Sequence, residues 1–463
     1  MGSILETLLA TPAAGPDEPK KKTPSEENDK AAYVDSLICQ FILQPSNLFP
    51  LIQLAELMTR MNRPDIASGL ADFVIGTNER SNEIRSALIA KFNVARKSKD
   101  RNAILAAAER VKANDRTYVS AYHDVAMLHI DARNLGAAKR ELDLAQSRQL
   151  QHPALDLARS RVDYLETFHY DRISTLRRTL VPDDVLLDAG DVAAEVIAAL
   201  EQNRPYHFLR LGDGEGVAIG AMLLDDDFAL ARNQMLMRNL NIWFGSTKPA
   251  IEVFIERLRE PFLRSIKGAD ILGIPGVSAM QKTWKNEERG YFGYANVVRL
   301  VDQLRRDAPG TFQRMKFASC HANVDLQTGH HLQAIIAKVD RCAIFTCHPQ
   351  LEGILKEHFR LKEVQLFRTP SRAASANLFK SAITAPHFPD VYEQILRQID
   401  TIPPGTLCLN AAGFLGKMYA HAAKERGCVI VDIGSVADFW LGYRSRQFTE
   451  ALSDTDWQAR YQL

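Results

Sequence analysis

Two carboxylates lie two residues apart among three glycines, in Leu211-Gly212-Asp213-Gly214-Glu215-Gly216. Carboxylate oxygens at this spacing are hard ligands suited to Mg²⁺ or Mn²⁺. The glycines remove side-chain bulk, so a diphosphate can approach the backbone closely. The spacing is Gly-X-Gly-X-Gly and matches no dinucleotide fingerprint. The competing reading is a tight turn with two solvated acids. Position weighs against it, because the apolar run Phe208-Leu209-Arg210-Leu211 comes immediately before and reads as a strand. Sheet-bound ligands sit beyond the carboxyl ends of parallel strands.

The same rule picks out further polar groups. Asn410-Ala411-Ala412-Gly413-Phe414-Leu415-Gly416-Lys417 follows an apolar run and leads into the helical stretch MYAHAAKERG. Small residues at such a turn expose backbone N–H groups at a helix N-terminus, a seat for phosphate, and Lys417 adds a point charge. Other strand ends carry Asp432, Gly434, Ser435 and Asp438; Arg368, Thr369, Pro370, Arg372 and Asn377; and His321, Asn323 and Asp325. Polar groups converging at one end of a sheet mark a site. Arg210, Arg368 and Lys417 are the candidates to hold a diphosphate, with Gly212, Gly214, Gly413 and Gly416 lining it; structural pairing with a carboxylate is the alternative for Arg210. His321 and Asp432 are the candidates for a general base, with a helix-capping or core-satisfied role the alternative for each. A second acidic pair, Asp225 and Asp227, lacks flanking glycine and is read as a loop or helix start, where acids are favoured anyway. Cys342, Cys347 and His348 have no second Cys/His pair at zinc spacing to complete a metal site.

The elements that must position these groups form two blocks. From residue 206 onward, short apolar runs alternate with helical stretches. Seven runs are expected as strands: 208–211, 270–274, 317–320, 342–345, 364–367, 406–409 and 428–431. Near-continuous apolar runs separated by helices indicate an open, doubly wound, mainly parallel α/β sheet covered on both faces. Residues 33–170 instead show helix-period apolar patterning. Ala55, Ala67, Ala71 and Val74 recur in spacing as Ala126, Ala138, Leu142 and Ala145, with Ala90 midway. This stretch resembles tetratricopeptide repeats, although the second repeat departs from the pattern after Ala90. A plain helical bundle is the alternative. Residues 1–32 read as a disordered leader rich in Pro, Lys and Glu. The expected domains are therefore 1–32, 33–170 and 171–463.

The run Phe208-Leu209-Arg210-Leu211-Gly212-Asp213-Gly214-Glu215 resembles the signature of the GT-D-type glycosyltransferases. Leu272-Gly273-Ile274-Pro275, Arg368-Thr369-Pro370 with Asn377, the loop ending at Lys417, and Val431-Asp432-Ile433-Gly434 are similar to that family in order and spacing, over about residues 190–445. The resemblance implies that Asp213 and Glu215 hold a divalent metal gripping the diphosphate of a nucleotide sugar, most naturally UDP-linked. It implies hexosyl transfer to an acceptor hydroxyl. The helical array lies outside the resemblance. Such arrays present concave surfaces to partners, which points to a protein or glycan acceptor. A metal-dependent phosphohydrolase and a non-catalytic scaffold are the alternatives.

Composition sets the outer bounds. Among 463 residues, 57 Lys and Arg against 56 Asp and Glu leave a net charge of +1, giving no global electrostatic case for nucleic acid. No apolar run approaches the ~18 residues that span a bilayer. The N-terminus lacks the basic region of a signal peptide, so a soluble, cytoplasmic protein is expected. The six cysteines are scattered and mostly in apolar runs, as reduced buried thiols are.

Overall fold

The computed structural model describes residues 24–77, 81–223, 226–373, 383 and 385–443. Contacts divide the chain into two compact units meeting at Val162/Asp163.

The first unit is a succession of helices. The first helix, Pro24–Leu43, begins inside the segment expected to be a leader. Its Leu37 is buried in the core of the following pair. Three helical hairpins follow: Phe49–Arg60 with Pro64–Thr77, Ser81–Ser98 with Arg101–Asn114, and Val119–Asp131 with Leu135–Ser147. Each turns through one residue in the left-handed region: Asn62, Lys99 and Arg133. Counted from that residue, the second helix buries positions five, nine and twelve further on. These are Ala67, Ala71 and Val74; Ile104, Ala108 and Val111; and Ala138, Leu142 and Ala145. The repeat thus runs through the middle hairpin as well. Its pattern is hidden in the sequence because the first helix there has 18 residues where its neighbours have 12 and 13. Small buried residues let paired helices approach closely.

Residues 163–170, assigned by sequence to the helical block, pack within the second unit. The Tyr164 hydroxyl donates to Asn296 Oδ1 (3.1 Å) and the Tyr291 hydroxyl to Phe168 O (2.5 Å). The buried Arg177 donates to Pro275 O (3.0 Å). The boundary therefore lies earlier than 170/171.

The second unit is a seven-stranded, wholly parallel sheet: β1 Tyr206–Arg210, β2 Ile271–Ile274, β3 Lys316–Ser319, β4 Arg341–Thr346, β5 Glu363–Arg368, β6 Leu407–Asn410 and β7 Val429–Asp432. Every expected run became a strand, with ends shifted by no more than two residues. The order is β3-β2-β1-β7-β6-β4-β5. The chain moves outward from β1 to β3, crosses to β4 and β5, and fills the middle with β6 and β7. The first and last strands thus lie side by side where the two halves of the sheet join. In open α/β sheets the ligand crevice forms at such a junction. Helices on both faces bury the strands, and among the described residues no helix is long and apolar enough to cross a membrane.

His207 lies buried within β1, and neither ring nitrogen finds a hydrogen-bond partner. Burial pushes its pKa down to about 3, and the charges of Lys424 and His421 push the same way. Burial also takes His387 to about 3. The unfolded chain takes up protons at both histidines below their ordinary value of 6.5, while the folded chain does so only near 3. Stability should fall as pH drops from 6.5 towards 3, by up to about 1.4 kcal/mol per pH unit for each histidine. Urea denaturation across that range should show a shallower slope for His207→Leu than for wild type. An unchanged slope would mean that His207 protonates inside the fold.

Candidate functional site

Three adjacent strand ends build the site: β1, β7 and β6. Directly after β1, Gly212 precedes helix α1 (Asp213–Met222), so both acids fall in its first turn. Acids there are favoured by the helix dipole. The Glu215 carboxylate turns back to accept the Gly212 N–H (3.1 Å), capping the helix with its own side chain. Asp213 is about one third exposed and Glu215 is 16% exposed, so both face solvent.

Behind them sits a buried ion cluster. Asp432, the last residue of β7, is 2% exposed. Arg210, the last residue of β1, donates from Nη2 to Asp432 Oδ1 (3.0 Å) and from Nε to the Asp432 carbonyl (3.0 Å). Its Nη1 donates to Cys320 O (2.8 Å) and Asn323 Oδ1 (2.6 Å). Lys417 donates to Asp432 Oδ2 from the other side and lies 3.6 Å from Glu215 Oε1. Burial alone would raise the Asp432 carboxyl, but the charges of Arg210 and Lys417, with their hydrogen bonds, outweigh it and hold the pKa at about 2. Gly434, just beyond β7, has φ +50°, and a Cβ there would collide with the Arg210 guanidinium. Glycine at this position admits both the turn and the arginine.

A second contact sets the rim. Helices α2 (Ala229–Phe244) and α3 (Glu288–Asp307) lie against α1. A Cβ on Gly216 would overlap the Gly293 carbonyl, and one on Gly293 would overlap the Asp213 carbonyl. The backbones of α1 and α3 therefore touch. One turn before Gly293, Arg289 reaches Asp213 Oδ2 (3.1 Å), Asn239 Oδ1 (2.9 Å) and Glu287 Oε1 (3.2 Å). Asn239 donates to the Gly214 carbonyl (3.0 Å). A Cβ on Gly214 would come within 3.3 Å of the Trp243 ring, which stacks on Phe414 with centroids 4.9 Å apart.

The structure thus gathers Asp213, Glu215, Arg210, Asp432 and Lys417, but it changes several expected roles. Arg210, expected on the diphosphate, spends its guanidinium on Asp432, Cys320 and Asn323. Asp432, expected as a base, is locked between two cations. Gly416 faces inward, where a Cβ would collide with Asn410 Oδ1, so its missing side chain serves packing. Gly413 opens helix α4 (Gly413–Glu425) with φ +62°, and nothing lies within 4 Å of a Cβ built there. This leaves the helix N-terminus open, as a phosphate seat requires. Arg368 ends β5 at the sheet edge, four strands from β1. At ~4.8 Å per strand that is roughly 19 Å from the acids, too far for a direct share in their site. His321 is exposed just after β3, two strands to the other side. Asp225 and Asn377 fall outside the described residues. His348 pairs through Nε2 with Asp438 Oδ1 (2.7 Å). Arg289, Asn239 and Trp243 were not found by sequence reasoning. The glycine spacing of α3, Gly290 and Gly293, was the available signal for a close helix contact near them.

Two carboxylates are a sparse metal site. Among the described residues no group of three or more His, Cys, Asp or Glu side chains gathers to hold an ion. Asp213 and Glu215 fit the mode in which Mg²⁺ is held by one or two carboxylates and completed by water and phosphate oxygens.

Comparison with known proteins supports the same architecture. The family described as GT-D fold-like domain matches residues 187–440, more than half of the chain. No curated protein and no solved structure matches it.

The ion cluster makes a quantitative expectation. Asp432→Asn removes the carboxylate that Arg210 and the buried Lys417 share. Breaking a buried pair from one side costs about 3–5 kcal/mol, which urea denaturation at pH 7 should register. A loss below about 1 kcal/mol would mean that the two cations find other partners.

Proposed function

The chain belongs to the GT-D-like fold family, and from that premise we propose that it is a metal-dependent glycosyltransferase. It would move a hexosyl group from a nucleotide-diphosphate sugar, with UDP the expected nucleotide, to an acceptor hydroxyl. The observation that carries this reading is the placement of Asp213 and Glu215. They are solvent-facing acids in the first turn of α1, at the carboxyl end of β1, where the two halves of the sheet join.

Asp213 and Glu215 would hold Mg²⁺ or Mn²⁺, whose Lewis acidity offsets charge on the departing nucleoside diphosphate. The chain's own groups supply the rest. The Gly212 N–H fixes one Glu215 oxygen. Lys417 pairs with Asp432 and braces Glu215 from behind. Backbone N–H groups at the open N-terminus of α4 would receive phosphate oxygens, with Gly413 leaving them uncovered. Of the two residues expected as bases, Asp432 is buried with its carboxylate oxygens taken by Arg210 and Lys417. His321, exposed at the end of β3, remains the candidate to take the acceptor's proton. The repeat unit would present the acceptor, a protein or a glycan, since stacked helical hairpins offer an extended surface.

Titration of Mn²⁺ and UDP, with donor turnover measured with and without acceptor, tests the assignment. Asp213→Asn and Glu215→Gln should each lower metal-dependent turnover more than tenfold, about 1.4 kcal/mol or more in barrier, while the fold survives. Variants retaining turnover within tenfold would remove the two acids from the metal site. Donor consumption indifferent to every acceptor offered would favour hydrolysis over transfer.

A further inference from the structure

The contact that seats α3 on α1 delivers a third cation to the site. Arg289 lies one turn before Gly293, so the same helix face that touches the Asp213 backbone carries the guanidinium to the Asp213 side chain. The arginine is held on three sides, by Asp213, Asn239 and Glu287. Asn239 is itself buried and tied to Gly214 O. The fork is therefore placed, not trailing in solvent.

The charges explain why it is there. Asp213, Glu215, Asp432 and Glu287 face Arg210, Lys417 and Arg289, four acids against three cations. Cations already sit against every one of these acids before any ion arrives. Arg210 and Lys417 are committed to the buried Asp432. Arg289 is different: it is 23% exposed, it pairs with an accessible acid, and Glu287 at the rim gives it a second seat. A divalent ion and a guanidinium repel each other against one carboxylate. A guanidinium released beside a diphosphate meets a partner that its planar fork matches.

We propose that Arg289 is a placeholder cation, which occupies Asp213 in the empty site, yields it to a divalent ion, and turns onto the donor's diphosphate. The inference rests on Asp213 being a metal ligand. Its consequence is cooperation: metal alone must displace Arg289, whereas metal with a nucleoside diphosphate gives Arg289 a new partner.

The experiment uses the full-length chain. Mn²⁺ alone is titrated by electron paramagnetic resonance, and UDP is titrated by calorimetry at saturating Mn²⁺, for wild type, Arg289→Gln and Arg289→Lys. Arg289→Gln should bind Mn²⁺ alone several-fold more tightly and UDP at least tenfold more weakly. Arg289→Lys should restore the weaker Mn²⁺ affinity but not the UDP affinity, since it keeps the charge and loses the fork. A purely positioning role for Arg289 would weaken both affinities together in Arg289→Gln. That result, or no change in either, overturns the proposal. Wild type that binds neither Mn²⁺ nor UDP would overturn the metal-site reading itself, and this inference with it. A variant that fails to fold is identified by circular dichroism, and Arg289→Lys then decides by the same two titrations.

Discussion

A carboxylate can stay ionised in the interior only where cations reach it, and Asp432 is reached from two directions. Arg210 comes from the neighbouring strand β1 and Lys417 from the helix after β6. The cluster therefore ties the end of β1 to those of β6 and β7, which lie far along the chain from it. Each partner alone would be a costly buried charge; together they form a floor beneath Glu215. The floor sets two cations against one carboxylate, and Lys417 stands 3.6 Å from Glu215 Oε1 above it.

The rim depends on a different constraint, the absence of side chains. Gly216 and Gly293 let α1 and α3 meet backbone to backbone. Close packing of this kind leaves no room for adjustment. It fixes where Arg289 and Asn239 stand relative to Asp213 and Gly214. Packing made without any polar group thus determines a polar geometry. Gly413 plays the opposite part, facing open space at the start of α4. Glycines that look alike in sequence divide into those that let helices touch and those that keep a surface uncovered.

The repeat unit shows how a regular structure can hide in an irregular sequence. Asn62, Lys99 and Arg133 turn three hairpins in the same way. The second helix of each hairpin buries the same positions counted from its turn. A longer first helix in the middle hairpin shifts the count from its start, so a pattern aligned there is lost while the packing persists.

Sequence alone determined the alternation of strands and helices, because strands buried on both faces must be continuous apolar runs wherever they later sit. It also determined that Asp213 and Glu215 follow a strand, since adjacency in the chain is preserved in any fold. Tertiary structure decided the rest. Strand order is set by crossovers and helix packing, which leave no local trace. That order separates Arg368 from the acids by four strands and brings Lys417 and Asp432 beside them. Whether a given charge serves a ligand or another residue depended on what lay next to it. Arg210 could be read in the sequence as a diphosphate ligand or as a carboxylate's partner, and the fold places it on Asp432. Arg289, at the start of its helix, was brought to the site by a contact between two glycines.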